Sequence, residues 1–115
     1  MAKFMFVFRG GGVVQKGLSP AELGAHLEKW KVWLGDLAKK GHNDEPGQLL
    51  QNSGKLVRGS ARTVTDGPYA EAKDMVTGTL LIVADSLDAA TTLALGCPVY
   101  EFDGSVEVRP IVVHG

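Results

Sequence analysis

Two segments of this chain, Lys3 to Arg9 and Gly78 to Ala84, read as β-strands that are apolar on both sides. In the first, Phe4, Phe6 and Phe8 project one way and Met5 and Val7 the other. In the second, Leu80 and Ile82 oppose Leu81 and Val83. A chain of 115 residues has room for a single domain, 1–115, with one core. Its periodicity offers two helices, and two helices can lie over one face of a sheet only. The other face then needs a cover, and for so short a chain the simplest cover is a second copy. The pattern predicts a homodimer whose sheets pack face to face.

The first helix carries the strongest local signal. Ser19 caps, Pro20 suits the first helical position and Glu22 completes a capping box. Leu23, Leu27, Trp30, Leu34 and Leu37 recur at helical spacing, and Gly41 stops the helix. Weaker strand signals follow at Gln48–Gln51 and Lys55–Thr65, with turn chemistry at Asn52-Ser53-Gly54 and Asp66-Gly67-Pro68. After the strand at Gly78, Asp85 or Ser86 caps a short second helix ended by Gly96-Cys97-Pro98, and Ser105 to Val113 reads as a last strand. The order strand, helix, two or three strands, helix, strand is that of an α+β ferredoxin-like sandwich, an antiparallel sheet with two helices on one face.

Composition removes several classes of function. Twelve basic residues face 13 acidic ones for a net charge of −1, which argues against nucleic acid or an anionic membrane as partner. No apolar run approaches the ~20 residues that cross a bilayer, and Arg9 interrupts the short apolar start that a leader would need. With one cysteine, Cys97, the expectation is a cytoplasmic chain without disulfides. Gly12 to Ser19 has the two-glycine spacing of a phosphate loop but lacks its lysine, so no nucleotide cofactor is implied. His42, Asp44 and Glu45 form no zinc pattern, and no metal is expected.

Several blocks together resemble the YCII-related family in its DGPF subgroup. They are Phe6-Val7-Phe8-Arg9-Gly10-Gly11, the helix from His26 to Trp33, and Val64 to Lys73 with Asp66-Gly67-Pro68-Tyr69 at its centre. Ala84 to Ala90, Gly96-Cys97-Pro98 and Gly104 to Ile111 complete the series. The resemblance spans nearly the whole chain and implies a dimeric ferredoxin-like α/β barrel. It also implies a small-molecule pocket with a His–Asp pair. Most members have no assigned reaction, and some relatives accompany alternative sigma factors. Tyr69 stands where the subgroup's motif has Phe, which adds a hydroxyl.

His26 lies on the flank of the helix stripe, where an imidazole either packs at the core edge or moves a proton. Asp66 either closes an Asx turn or orients that imidazole from 40 positions away. Arg9, Trp30, Tyr69 and Arg109 are the residues offered for holding a substrate, with Arg9 suited to a carboxylate or phosphate. Trp30 and Trp33 otherwise read as core, and Cys97 as a buried structural thiol. Two readings of function stand side by side. One is a cofactor-independent lyase or isomerase using His26 and Asp66; the other is a non-catalytic ligand-binding or accessory module linked to transcription regulation.

Overall fold

Strand β1 (Ala2–Arg9) opens the chain, and α1 (Pro20–Lys39) follows it in this computed structural model, which describes residues 1–11, 17–43, 45–51, 53–67 and 74–113. Both arms of the capping box form: Glu22 N–H donates to Ser19 Oγ at 3.2 Å, and Ser19 N–H to Glu22 Oε1 at 3.2 Å. The far end closes as a Schellman motif. Gly41, at φ +75°, donates to the Ala38 carbonyl and His42 donates to that of Leu37. The chain is thereby turned onto the sheet, where Asn43 bridges Ile82.

Next come β2 (Gln48–Leu49), the hairpin strands β3 (Gly54–Arg58) and β4 (Thr63–Gly67), β5 (Val76–Ala84), α2 (Leu87–Ala94), a 3-10 turn at Pro98–Phe102 and β6 (Ser105–Pro110). Strands β2, β5, β1 and β6 lie side by side in that order, with every pair antiparallel. Omitting the hairpin, this is the strand order of a ferredoxin-like sandwich, as the element sequence predicted. Among the described residues no helix is long and apolar enough to cross a membrane.

The helices cover one face. Phe4, Phe6, Phe8, Leu80, Ile82 and Ala84 point into it and pack with Trp33 and Leu37 of α1 and Ala90 and Ala94 of α2. The Phe6 ring stacks on Trp33 at 6.1 Å, and Phe8 meets Trp30 edge-on at 5.2 Å. Each such side chain stabilises the fold by about 1.5–3 kcal/mol through removal from water.

Four expectations need correction. The span Lys55–Thr65 is a hairpin, not one strand; it turns at residues 59–62, where Gly59 and Arg62 both adopt positive φ. Asp66 and Gly67 belong to β4 rather than to a turn. The last strand stops at Pro110, with one further ladder bond from Ile111 N–H to the Lys3 carbonyl at 3.1 Å, because its partner β1 runs out at Ala2. On α1 the inward line is His26, Trp30, Trp33 and Leu37, while Leu27 is exposed, because the two tryptophans meet the phenylalanines of β1 and His26 meets Phe102 of the 3-10 turn.

Candidate functional site

Strand alternation fixes which candidates can meet. Residues directly opposite in neighbouring strands share a face. With Phe4, Phe6 and Phe8 facing the helices, Lys3, Met5, Val7 and Arg9 lie on the open face. Across β5 they face Val83, Leu81 and Thr79; across β6, Met5, Val7 and Arg9 face Arg109, Glu107 and Ser105. His26 and Trp30 belong to the helix side. The described candidates therefore do not form one pocket within the chain: Arg9 and Arg109 are together on one side of the sheet, His26 and Trp30 on the other.

His26 is 2% exposed. The indole Nε1–H of Trp30 can only donate, and it reaches His26 Nε2 at 3.0 Å. Nε2 is thus the bare nitrogen, and the ring proton sits on Nδ1, which faces Glu101 Oε1 at 3.4 Å. The other Glu101 oxygen takes the ammonium of Lys29 at 2.5 Å, and Phe102 closes over the imidazole with ring centres 4.5 Å apart. The hydrogen bond from Lys29 foremost holds the Glu101 carboxyl below its ordinary value. Both imidazole nitrogens are committed, so this cluster binds α1 to the 3-10 turn and offers no free lone pair to a substrate.

Asp66 has a different partner. It sits on the outer surface of the β3–β4 hairpin in an ion pair with Lys55. Among the described residues no hydrogen bond or ion pair joins it to His26, and the carboxylate beside the imidazole is Glu101. Sequence gave no pointer to Glu101, which reaches His26 only because the turn after α2 folds back onto α1. Tyr69 lies outside the described residues.

On the open face, one carboxylate holds two guanidinium groups. Arg9 donates to Glu107 Oε1 from Nε at 3.3 Å and Nη2 at 3.2 Å, and Arg109 Nη1 donates to Oε2 at 3.0 Å. Arg9 is further fixed by Nη1 donating to the Asp74 carbonyl at 3.1 Å. A register shift between Phe8 and Arg9 sets this end of β1, and Thr77 Oγ1 pins it by donating to the carbonyls of Phe8 and Gly10. The hydrogen bonds from Arg109 and then Arg9 hold the Glu107 carboxyl below its ordinary value. Beside the trio run Met5, Val7 and Leu81, an apolar strip with a charged border.

The remaining features add little chemistry. Burial pushes the Cys97 thiol up to about 12, so it stays protonated. His42 donates Nδ1–H to the Val83 carbonyl at 2.9 Å, extending the sheet edge. Among the described residues no three metal-ligating side chains converge. A groove of about 520 Å³ runs along α1 over Val32, Trp33 and Pro98, away from the open face.

Comparison with known proteins adds three findings. The model of the YCII-related domain matches residues 45–114, more than half of the chain. No curated protein matches. Among solved structures, the 5-chloro-2-hydroxyhydroquinone dehydrochlorinase of Burkholderia phenoliruptrix AC1100, in complex with 2,5-dihydroxybenzoquinone, is similar with a TM-score of 0.46 and 17% identity. That likeness covers 98% of this chain and 95% of that one.

Proposed function

We propose, from the premise that the chain belongs to the YCII-related domain family, that it is a small-molecule-binding protein working as a homodimer. In this reading two open sheet faces close on each other as an α/β barrel, and the ligand lies in the hollow between them. The observation that carries the reading is the strip Met5, Val7, Leu81 and Val83, central in the sheet and opposite the helices. Apolar residues in mid-sheet normally have a second layer over them. A two-fold axis through that strip sets apolar surface against apolar surface, which a second copy satisfies without any other partner. The Asp66-Gly67-Pro68-Tyr69 block supports the DGPF subgroup, and a chain with one buried thiol suits the reducing cytoplasm.

Binding is favoured over turnover by the state of His26. A general base needs a lone pair within reach of the substrate, and here Trp30 occupies Nε2 while Nδ1 carries the proton toward Glu101. The His26–Asp66 pair therefore has no part in this proposal.

Sedimentation velocity at micromolar concentration tests the assembly, with a species of twice 12.2 kDa expected. Leu81→Asp should shift it to the monomer, because an unpaired charge in an apolar contact is costly. A monomeric wild-type chain would remove the barrel. A thermal-shift survey of small organic acids, amides and alcohols then tests ligand binding, with recovery of the ligand unchanged as the mark of a non-catalytic site.

A further inference from the structure

Among the described residues, the open face carries more positive than negative charge at one edge, in a place the barrel would enclose. Arg9 and Arg109 share Glu107, so two cations meet one anion. In solvent that imbalance costs little. Between two packed sheets it costs far more, because attraction and repulsion both strengthen as water leaves. Among the described residues, each copy leaves one positive charge unmatched there.

We propose that this trio is a binding site for an organic carboxylate with an apolar body. The inference rests on the barrel reading above and gives its ligand a chemical class. Arg9 is the fixed wall: three of its N–H groups are spent on Glu107 and on the Asp74 carbonyl. Arg109 is the receiving group. Among the described residues it spends one N–H, on Glu107, and its side chain is 67% exposed. Of its five N–H donors the others are left for a carboxylate, which a guanidinium grips through two parallel bonds. Met5 stands directly opposite Arg109, with Leu81 beyond it on the next strand. A ligand held at the arginine thus lays its body along apolar side chains, which favours an aromatic or branched aliphatic acid over a bare inorganic anion.

Glu107 competes with the ligand for the same guanidinium groups, so two substitutions should act in opposite directions. The probes are benzoate, benzamide as its neutral counterpart, and acetate as the carboxylate without a body. Calorimetry on the wild-type protein should show benzoate binding, with benzamide weaker by about tenfold or more, the scale of one charge-assisted hydrogen bond. Acetate should be weaker by about tenfold or more through the apolar burial it lacks. Arg109→Gln should weaken benzoate by about tenfold or more, and Glu107→Gln should tighten it several-fold, with the thermal midpoints reporting that each variant folds. Absence of benzoate binding to the wild-type protein overturns the site, as do equal binding of benzamide and an unchanged benzoate affinity in both variants. Sedimentation of the same samples separates the two claims. A dimer that ignores benzoate keeps the barrel and loses the site, while a monomer that binds benzoate through Arg109 keeps the site and loses the barrel.

Discussion

The indole N–H of Trp30 is aimed at Nε2 of His26 from one helical turn further along α1, at 3.0 Å. Both groups are held by the core, Trp30 by the edge of Phe8 and His26 by Phe102. The bond fixes the imidazole as the Nδ1–H tautomer. Long-range nitrogen–proton NMR spectra at neutral pH should show a bare Nε2 and a protonated Nδ1 for His26. Trp30→Phe keeps the ring contact and deletes the donor. It should cost about 1–3 kcal/mol in denaturant midpoint, the scale of a buried acceptor left without its partner. A loss no larger than that of an exposed substitution would mean that water satisfies Nε2.

Glu101 joins this cluster to solvent chemistry. Its carboxyl lies below the ordinary glutamate value, chiefly through the hydrogen bond from Lys29 and less through His26. Glu107 is lowered in the same direction by Arg109 and Arg9. A carboxyl lowered in the folded state binds its proton more weakly there than in the unfolded chain. Its stabilisation is therefore complete above the ordinary value of about 4.3 and is lost as the pH falls through the lower folded value. Carboxyl carbon NMR should place both groups below the unfolded reference. Lys29→Met should raise Glu101 and leave Glu107 in place; equal movement of both would show a general charge effect rather than these contacts.

Two glycines should respond in opposite senses to alanine. A Cβ on Gly104 would stand 2.4 Å from Val99 Cγ2 and 2.8 Å from the Val99 carbonyl oxygen, and the latter is backbone that cannot step aside. Gly104→Ala should destabilise by about 1–3 kcal/mol, as overpacking does. Gly24, within α1, has no atom within 4 Å of such a Cβ. Gly24→Ala should stabilise by about 0.5–1 kcal/mol, since glycine loses more chain entropy in a helix. Urea titrations of the two variants give both values, and a stable Gly104→Ala would mean that the 3-10 turn is looser than its hydrogen bonds indicate.

The framework was legible where local chemistry decides the outcome. Ser19, Pro20, Glu22 and Gly41 mark the ends of α1 because capping is settled within a few residues. Alternation along β1 and β5 gave the covered and the open faces. The same alternation puts Arg9 outward where Phe8 is inward, so Arg9 and Trp30 cannot share a pocket. The hairpin was hidden because strand-forming residues run through Leu56–Val57 and Thr63–Val64–Thr65, and its turn carries no Asn-Gly or Asp-Gly pair. The placing of His26 inward and Leu27 outward is decided by contact with the sheet, which hydrophobicity along α1 does not encode. Glu101, 75 residues from His26, meets it only through the fold.

Cys97 offers the last test, and it concerns access to the core. The thiol is 4% exposed, and its residue caps the 3-10 turn that carries Val99 and Glu101. Burial raises its pKa to about 12, so at mildly alkaline pH the nucleophilic thiolate is scarce even before access is considered. A thiol reagent such as a disulfide dye should therefore modify the folded protein slowly and the urea-unfolded chain at once. In moderate urea the rate should follow the population of opened molecules. If the turn between α2 and β6 opened by itself, labelling would proceed without urea and would be insensitive to Gly24→Ala. Slowing of the labelling by that distant substitution is the outcome expected when Cys97 becomes accessible only as the whole domain unfolds.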